Sequence, residues 1–125
     1  MTPAERRILV VEDDDTLRET LTEVLVEEGH EVRAAAHGHE ALDHLDGWEP
    51  HLILLDLMMP TMDAFAFRTR QRQLGIAPRA RTIVVSAARD LEHAVSLLDA
   101  DAWIAKPFRL QQVVDAVDDL LSPAG

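Results

Sequence analysis

Five polar side chains, each placed where a short apolar run ends, are the residues of this sequence that could do chemistry together. Glu12 and Asp13 follow Ile8 to Val11, Asp56 follows Leu52 to Leu55, Ser86 ends the run from Thr82, and Lys106 follows Ala102 to Ala105. Carboxylates brought within a few ångströms repel, and without a cation the crowding is expected to raise at least one carboxyl pKa, with Lys106 working against it. Oxygen ligands without His or Cys suit a hard divalent cation, Mg2+ or in its place Mn2+. A carboxylate beside such a cation, an ammonium and a hydroxyl can take up a phosphoryl group, because the cation and the ammonium share the charge on the phosphoryl oxygens while the hydroxyl bonds to another. Asp56 is the expected nucleophile, since the central strand ends there and groups from neighbouring strands can surround it; Glu12 and Asp13 are expected to hold the metal. Each acid also has a structural alternative. An Asp closing a strand can serve as a turn or cap, and Asp14 and Asp15 are assigned to the acidic first turn of a helix.

The elements that must position these groups follow from apolar spacing. Leu52 to Leu55 is too short for a helix core and lacks period-two alternation, so it reads as a strand covered on both faces. Ile8 to Val11, residues 31 to 35, Thr82 to Ser86 and Ala102 to Ala105 are the other expected strands. Leu17, Leu21, Val24 and Leu25 share one face of a helix that Gly29 ends, with Thr16 and Glu19 at capping-box spacing and Asp15 as a further cap. Ala41, Leu42 and Leu45 line a short helix, a third runs from about Ala64 to Leu74 before Gly75, and a fourth covers Leu91 to Leu98. The last carries Leu110, Val113, Val114, Val117, Leu120 and Leu121 inward. Strands and helices alternating five times predict an α/β fold, a doubly wound parallel sheet with helices on both faces. Ligands of such sheets sit outside the carboxyl ends of the strands, where the five polar groups converge.

Composition narrows the function classes. The chain of 125 residues, 47% of them hydrophobic, suits one domain with a core at about 8 to 121 and frayed ends at 1 to 6 and 122 to 125. It contains no cysteine, which excludes disulfides and thiolate metal sites. The N-terminus has too few apolar residues for a signal peptide or a membrane span, so a cytoplasmic location is expected. A net charge of −11 argues against direct contact with nucleic acid or anionic membrane. Arg68, Arg70, Arg72, Arg79 and Arg81 are the local exception, read as a solvated helix face and loop. The scattered histidines, His37 and His39 included, are read as polar loop residues.

The motifs Ile-Leu-Val-Val-Glu-Asp at 8 to 13, Leu-Ile-Leu-Leu-Asp-Leu-Met-Met-Pro at 52 to 60, Val-Val-Ser-Ala at 84 to 87 and Lys-Pro-Phe at 106 to 108 together resemble those of response-regulator receiver domains of two-component signalling. The resemblance runs from Ile8 to Leu121. It implies a flavodoxin-like five-stranded sheet in the order 2-1-3-4-5 and a phosphoacceptor rather than an enzyme, with Asp56 taking a phosphoryl group from a histidine kinase, a phosphotransfer protein or a small phosphodonor. Asp13, Asp56 and the backbone carbonyl of Met58 would coordinate Mg2+, with Glu12 reaching it through water. Ser86 would bond the phosphoryl group, Lys106 would pair with it, and Trp103 would stand at the position of the aromatic switch residue. The Lys106–Pro107 peptide would be cis. Output would pass to a downstream protein partner or an effector domain.

The chain departs from the family pattern at Thr61, Ala64 and Asp99, which replace glycines, so those turns are expected to form without a positive φ. The interval from Ser86 to Lys106 is about two residues short of the family's usual length. Two alternatives stand beside the main reading: a receiver-like scaffold that signals without phosphorylation, and a Mg2+-dependent phosphatase. The second rests on Asp13-Asp14-Asp15-Thr16, which faintly resembles the opening motif of haloacid-dehalogenase enzymes, with its Thr out of register.

Overall fold

The computed structural model describes residues 6–57, 63–87, 96 and 98–122. Within them the strands are β1 (Arg7–Val11), β2 (Glu31–Ala35), β3 (Leu52–Asp56), β4 (Arg81–Ser86) and β5 (Ala102–Ala105). The helices bounded within them are α1 (Asp15–Glu27), α2 (Gly38–His44), α3 (Ala64–Leu74) and α4 (Leu110–Leu121). All four strand pairings are parallel and the order is β2-β1-β3-β4-β5, as expected. The Leu91 to Leu98 helix, Thr61 and the Met58 carbonyl lie outside the described residues, except that Ser96 and Leu98 are helical.

The alternation of side chains along parallel strands splits the core in two. Leu9, Val11, Ile53, Leu55 and Val84 pack with Ala41, Leu45 and Phe67 on the face covered by α2 and α3. Ile8, Val10, Leu54, Ile83 and Val85 pack with Leu21, Leu25, Val113 and Val117 on the face covered by α1 and α4. Since β3 is central and buried on both faces, its residues read as a continuous apolar run that ends at the buried Asp56. Each fully buried aliphatic side chain contributes on the order of 1.5–3 kcal/mol.

Several local expectations change. Asp14, not Thr16 or Asp15, caps α1, its carboxylate accepting from the Leu17 N–H at 2.9 Å. Leu110 is 37% exposed, because it lies in the first turn of α4 beyond the edge of the core. Asp99 does adopt a positive φ, 55°; aspartate tolerates the left-handed region, and its carbonyl is held by the Arg68 guanidinium at 3.2 Å. Arg68 and Arg72 are not simply solvated, since both donate to the Leu98 carbonyl, at 3.0 and 3.3 Å.

Candidate functional site

The turn from β1 into α1 sets the first two acids. Glu12 continues β1, its N–H donating to the Ala35 carbonyl at 3.0 Å, and it is buried, although a lone carboxylate there would be costly. Two partners offset that cost: the Asp14 N–H donates to Glu12 Oε2 at 3.1 Å, and the Lys106 ammonium lies 3.0 Å from Oε1. Arg18, which sequence reasoning passed over, closes the turn by donating to the Glu12 carbonyl at 2.9 Å. Its signal was the spacing of Asp15 and Arg18 on one helix face, where the two side chains pair. Asp13 is exposed at the mouth of the site.

Asp56 is 4% exposed at the end of β3, and Lys106 Nζ stands 3.7 Å from its Oδ1. The ammonium therefore touches two carboxylates from adjacent strands. Burial pulls the Lys106 pKa down, but the hydrogen bond to Glu12 and the charges of Asp56, Glu12 and Asp13 outweigh it, so the pKa lies above the ordinary lysine value. For Asp13 burial acts upward and is outweighed by hydrogen bonds with Asp56, Glu12 and its own backbone and by Lys106, so its pKa lies below the ordinary aspartate value. Asp13 is thus not the carboxyl whose pKa the crowding raises.

Ligand oxygens of Glu12, Asp13 and Asp56 all lie within 4.8 Å of one another. An oxygen-only set this close fits a hard divalent cation. Ser86, buried at the end of β4, is held beside the site through the Lys106 N–H, which donates to its carbonyl at 3.0 Å, and the Lys106–Pro107 peptide is cis. Trp103 pairs in register with Val84 and is 46% exposed. The fold thus brings Glu12, Asp13, Asp56, Ser86 and Lys106 to one edge and leaves Trp103 on the surface of β5.

Residues 8–118 match the response regulator receiver domain family. The chain belongs to it. A response regulator from Mycolicibacterium vanbaalenii, MprA, is 37% identical over 118 residues, covering 92% of this chain and 50% of that protein. The chain spans about half the length of the curated relatives it matches. Response regulator TrrA from Thermotoga maritima, solved in complex with Mg2+ and BeF, is 32% identical with a TM-score of 0.80, covering 93% of this chain and 99% of that one. A signal receiver domain from Bermanella marisrubri is also 32% identical, with a TM-score of 0.83 over 94% and 99% of the two chains. As a receiver domain, the chain serves as a phosphoacceptor in two-component signalling.

Proposed function

We propose that Asp56 is the phosphoryl acceptor, and that the whole described unit, from Ile8 to Leu121, acts as one receiver domain. The observation that carries the assignment is a buried carboxylate at the end of the central strand, beside an ammonium and two further acids. A carboxylate oxygen of Asp56 attacks phosphorus, forming an O–P bond as the donor's N–P bond breaks and its electron pair returns to the histidine ring of a kinase or phosphotransfer protein. A small acyl phosphate can serve in the same way.

Lys106 neutralises charge on the phosphoryl oxygens once it is drawn from Glu12 and Asp56, and the Ser86 hydroxyl donates to another oxygen. Glu12, Asp13 and Asp56 are the residues that would hold Mg2+, or Mn2+, with Glu12 acting through water and with the Met58 carbonyl assigned from the family pattern. The cation supplies charge neutralisation that lets a dianionic donor approach three acids. An apolar groove of about 420 Å3 lies beside Lys106, lined by Leu17, Phe108 and Leu110. Output passes to a downstream protein or to an effector domain, and the reading places the protein in the cytoplasm; among the described residues no helix is long and apolar enough to cross a membrane.

Intact mass after incubation with acetyl phosphate tests the assignment. Wild type gains one phosphoryl mass with Mg2+ and none with chelator, and Asp56→Asn gains none. Equal labelling of Asp56→Asn would overturn the choice of acceptor.

A further inference from the structure

The end of the sheet opposite the acidic site holds a second concentration of charge, of the other sign. There β1, β3 and β4 begin side by side: the His51 N–H donates to the Arg7 carbonyl at 2.8 Å, and the Arg81 N–H to the His51 carbonyl at 2.9 Å. These bonds bring the starts of the three strands together, with Ile8 and Arg81 both opposite Leu52 and Arg7 one residue before that level. Together with Arg6 and Arg79, the residues Arg7, His51 and Arg81 line a cavity of about 490 Å3, a size typical of small-molecule sites. Among the described residues its lining includes four arginines and one acidic residue, Glu49.

In a chain of net charge −11 this local surplus runs against the whole. Among the described residues Arg81 approaches Asp101 at 3.7 Å, whereas Arg6, Arg7 and Arg79 have no carboxylate at ion-pair distance. Like charges gathered without counter-charges repel, and an entering anion relieves that repulsion. His51 adds a donor. Its Nδ1 accepts from the Arg7 N–H at 3.0 Å, which leaves Nε2 as the ring's N–H donor.

We propose that this cavity binds a small organic anion bearing two or more phosphate groups, of the nucleoside diphosphate class. Guanidinium forks pair with phosphate in bidentate fashion, and Arg6, Arg7 and Arg79, which have no ion-pair partner among the described residues, offer more forks than one phosphate engages. Pro50, Leu120 and Leu121 form an apolar wall for the organic part. A nucleic-acid polymer is disfavoured, because it would extend beyond the cavity over an acidic protein. The site lies at the far end of the strands from Asp56 and does not depend on the phosphoacceptor reading.

The test is ADP titrated into the isotope-labelled chain in EDTA, followed by amide chemical shifts. Saturable shifts at Arg7, His51, Arg81 and Ser122, with Asp13 and Lys106 unmoved, are expected. Arg7→Gln combined with Arg79→Gln removes two guanidiniums that pair with no described residue, and should weaken binding at least about tenfold with an unchanged melting temperature. Shifts no larger than those from chloride at equal ionic strength, shifts centred on Lys106, an unchanged affinity in the double variant, or tighter binding of a single-stranded oligonucleotide would each overturn the proposal.

Discussion

At the scale of single residues, the site is a balance of proton affinities around one ammonium. Asp13 is the informative member because its pKa is lowered: burial acts upward, and the hydrogen bonding that it shares with Asp56 and Glu12, its own backbone and the nearby Lys106 outweigh it. A depressed folded-state pKa means that Asp13 adds stability above its unfolded value, near 3.8, and that this contribution is lost as pH falls through the folded value. In chelator, Asp13→Asn should therefore melt below wild type at neutral pH, and the gap should close on acidification below about pH 4. Thermal melts across that range check this, and a variant more stable than wild type at neutral pH would mean that repulsion dominates after all. Lys106 behaves in the mirror sense: its raised pKa supports the fold below the ordinary lysine value and is lost as pH rises through the folded value. Since the same ammonium spans Glu12 and Asp56, Lys106→Met should cost about 1.5–3 kcal/mol at neutral pH, measured by denaturant unfolding.

At the scale of elements, the strands were legible because three of them are buried on both faces and so appear as unbroken apolar runs, and β3 ending in Asp56 pointed to the end of the sheet where the three acids cluster. The caps were less legible. Asp14 and Asp15 are equivalent in sequence, and only the direction in which the chain leaves β1 decides that Asp14 accepts from Leu17. Long-range anchors left no local signal at all: Arg68 and Arg72 sit on α3 yet bond to the Leu98 carbonyl, so a run of arginines read as solvated proves to be half structural. Asp99 could be read only as a lost glycine, because its carbonyl partner Arg68 lies on another helix. By contrast Gly75 was readable as a stop, and it takes up the left-handed cap conformation at φ 65° with its N–H donating to the Arg72 carbonyl at 3.1 Å. A side chain at Gly75 would meet open space, so the penalty for Gly75→Ala is purely conformational, about 1 kcal/mol. Equilibrium unfolding in urea measures it. A neutral result would require α3 to end by a different turn.

At the scale of the whole molecule, a parallel sheet gathers opposite charges at its two ends, acids where the strands finish and arginines where three of them begin. The acidic end follows from Glu12, Asp13 and Asp56 being fixed within 4.8 Å by β1 and β3, a convergence that the unfolded chain lacks because those residues are far apart in sequence. A cation held there binds the folded state and not the unfolded one, so it shifts the folding equilibrium by mass action. At one hundred times its dissociation constant the gain is about 2.7 kcal/mol, which for a domain of this size raises the melting temperature by roughly 10 °C. Mg2+ should produce that rise in wild type, whereas NaCl at the same ionic strength should produce a smaller one, since it screens the net charge without occupying the cluster. Asp13→Asn removes one of three ligands and should reduce the Mg2+ increment to the salt background while the fold persists. Equal increments for the two salts in wild type, or an undiminished Mg2+ increment in Asp13→Asn, would show that the three acids do not act as one cation site.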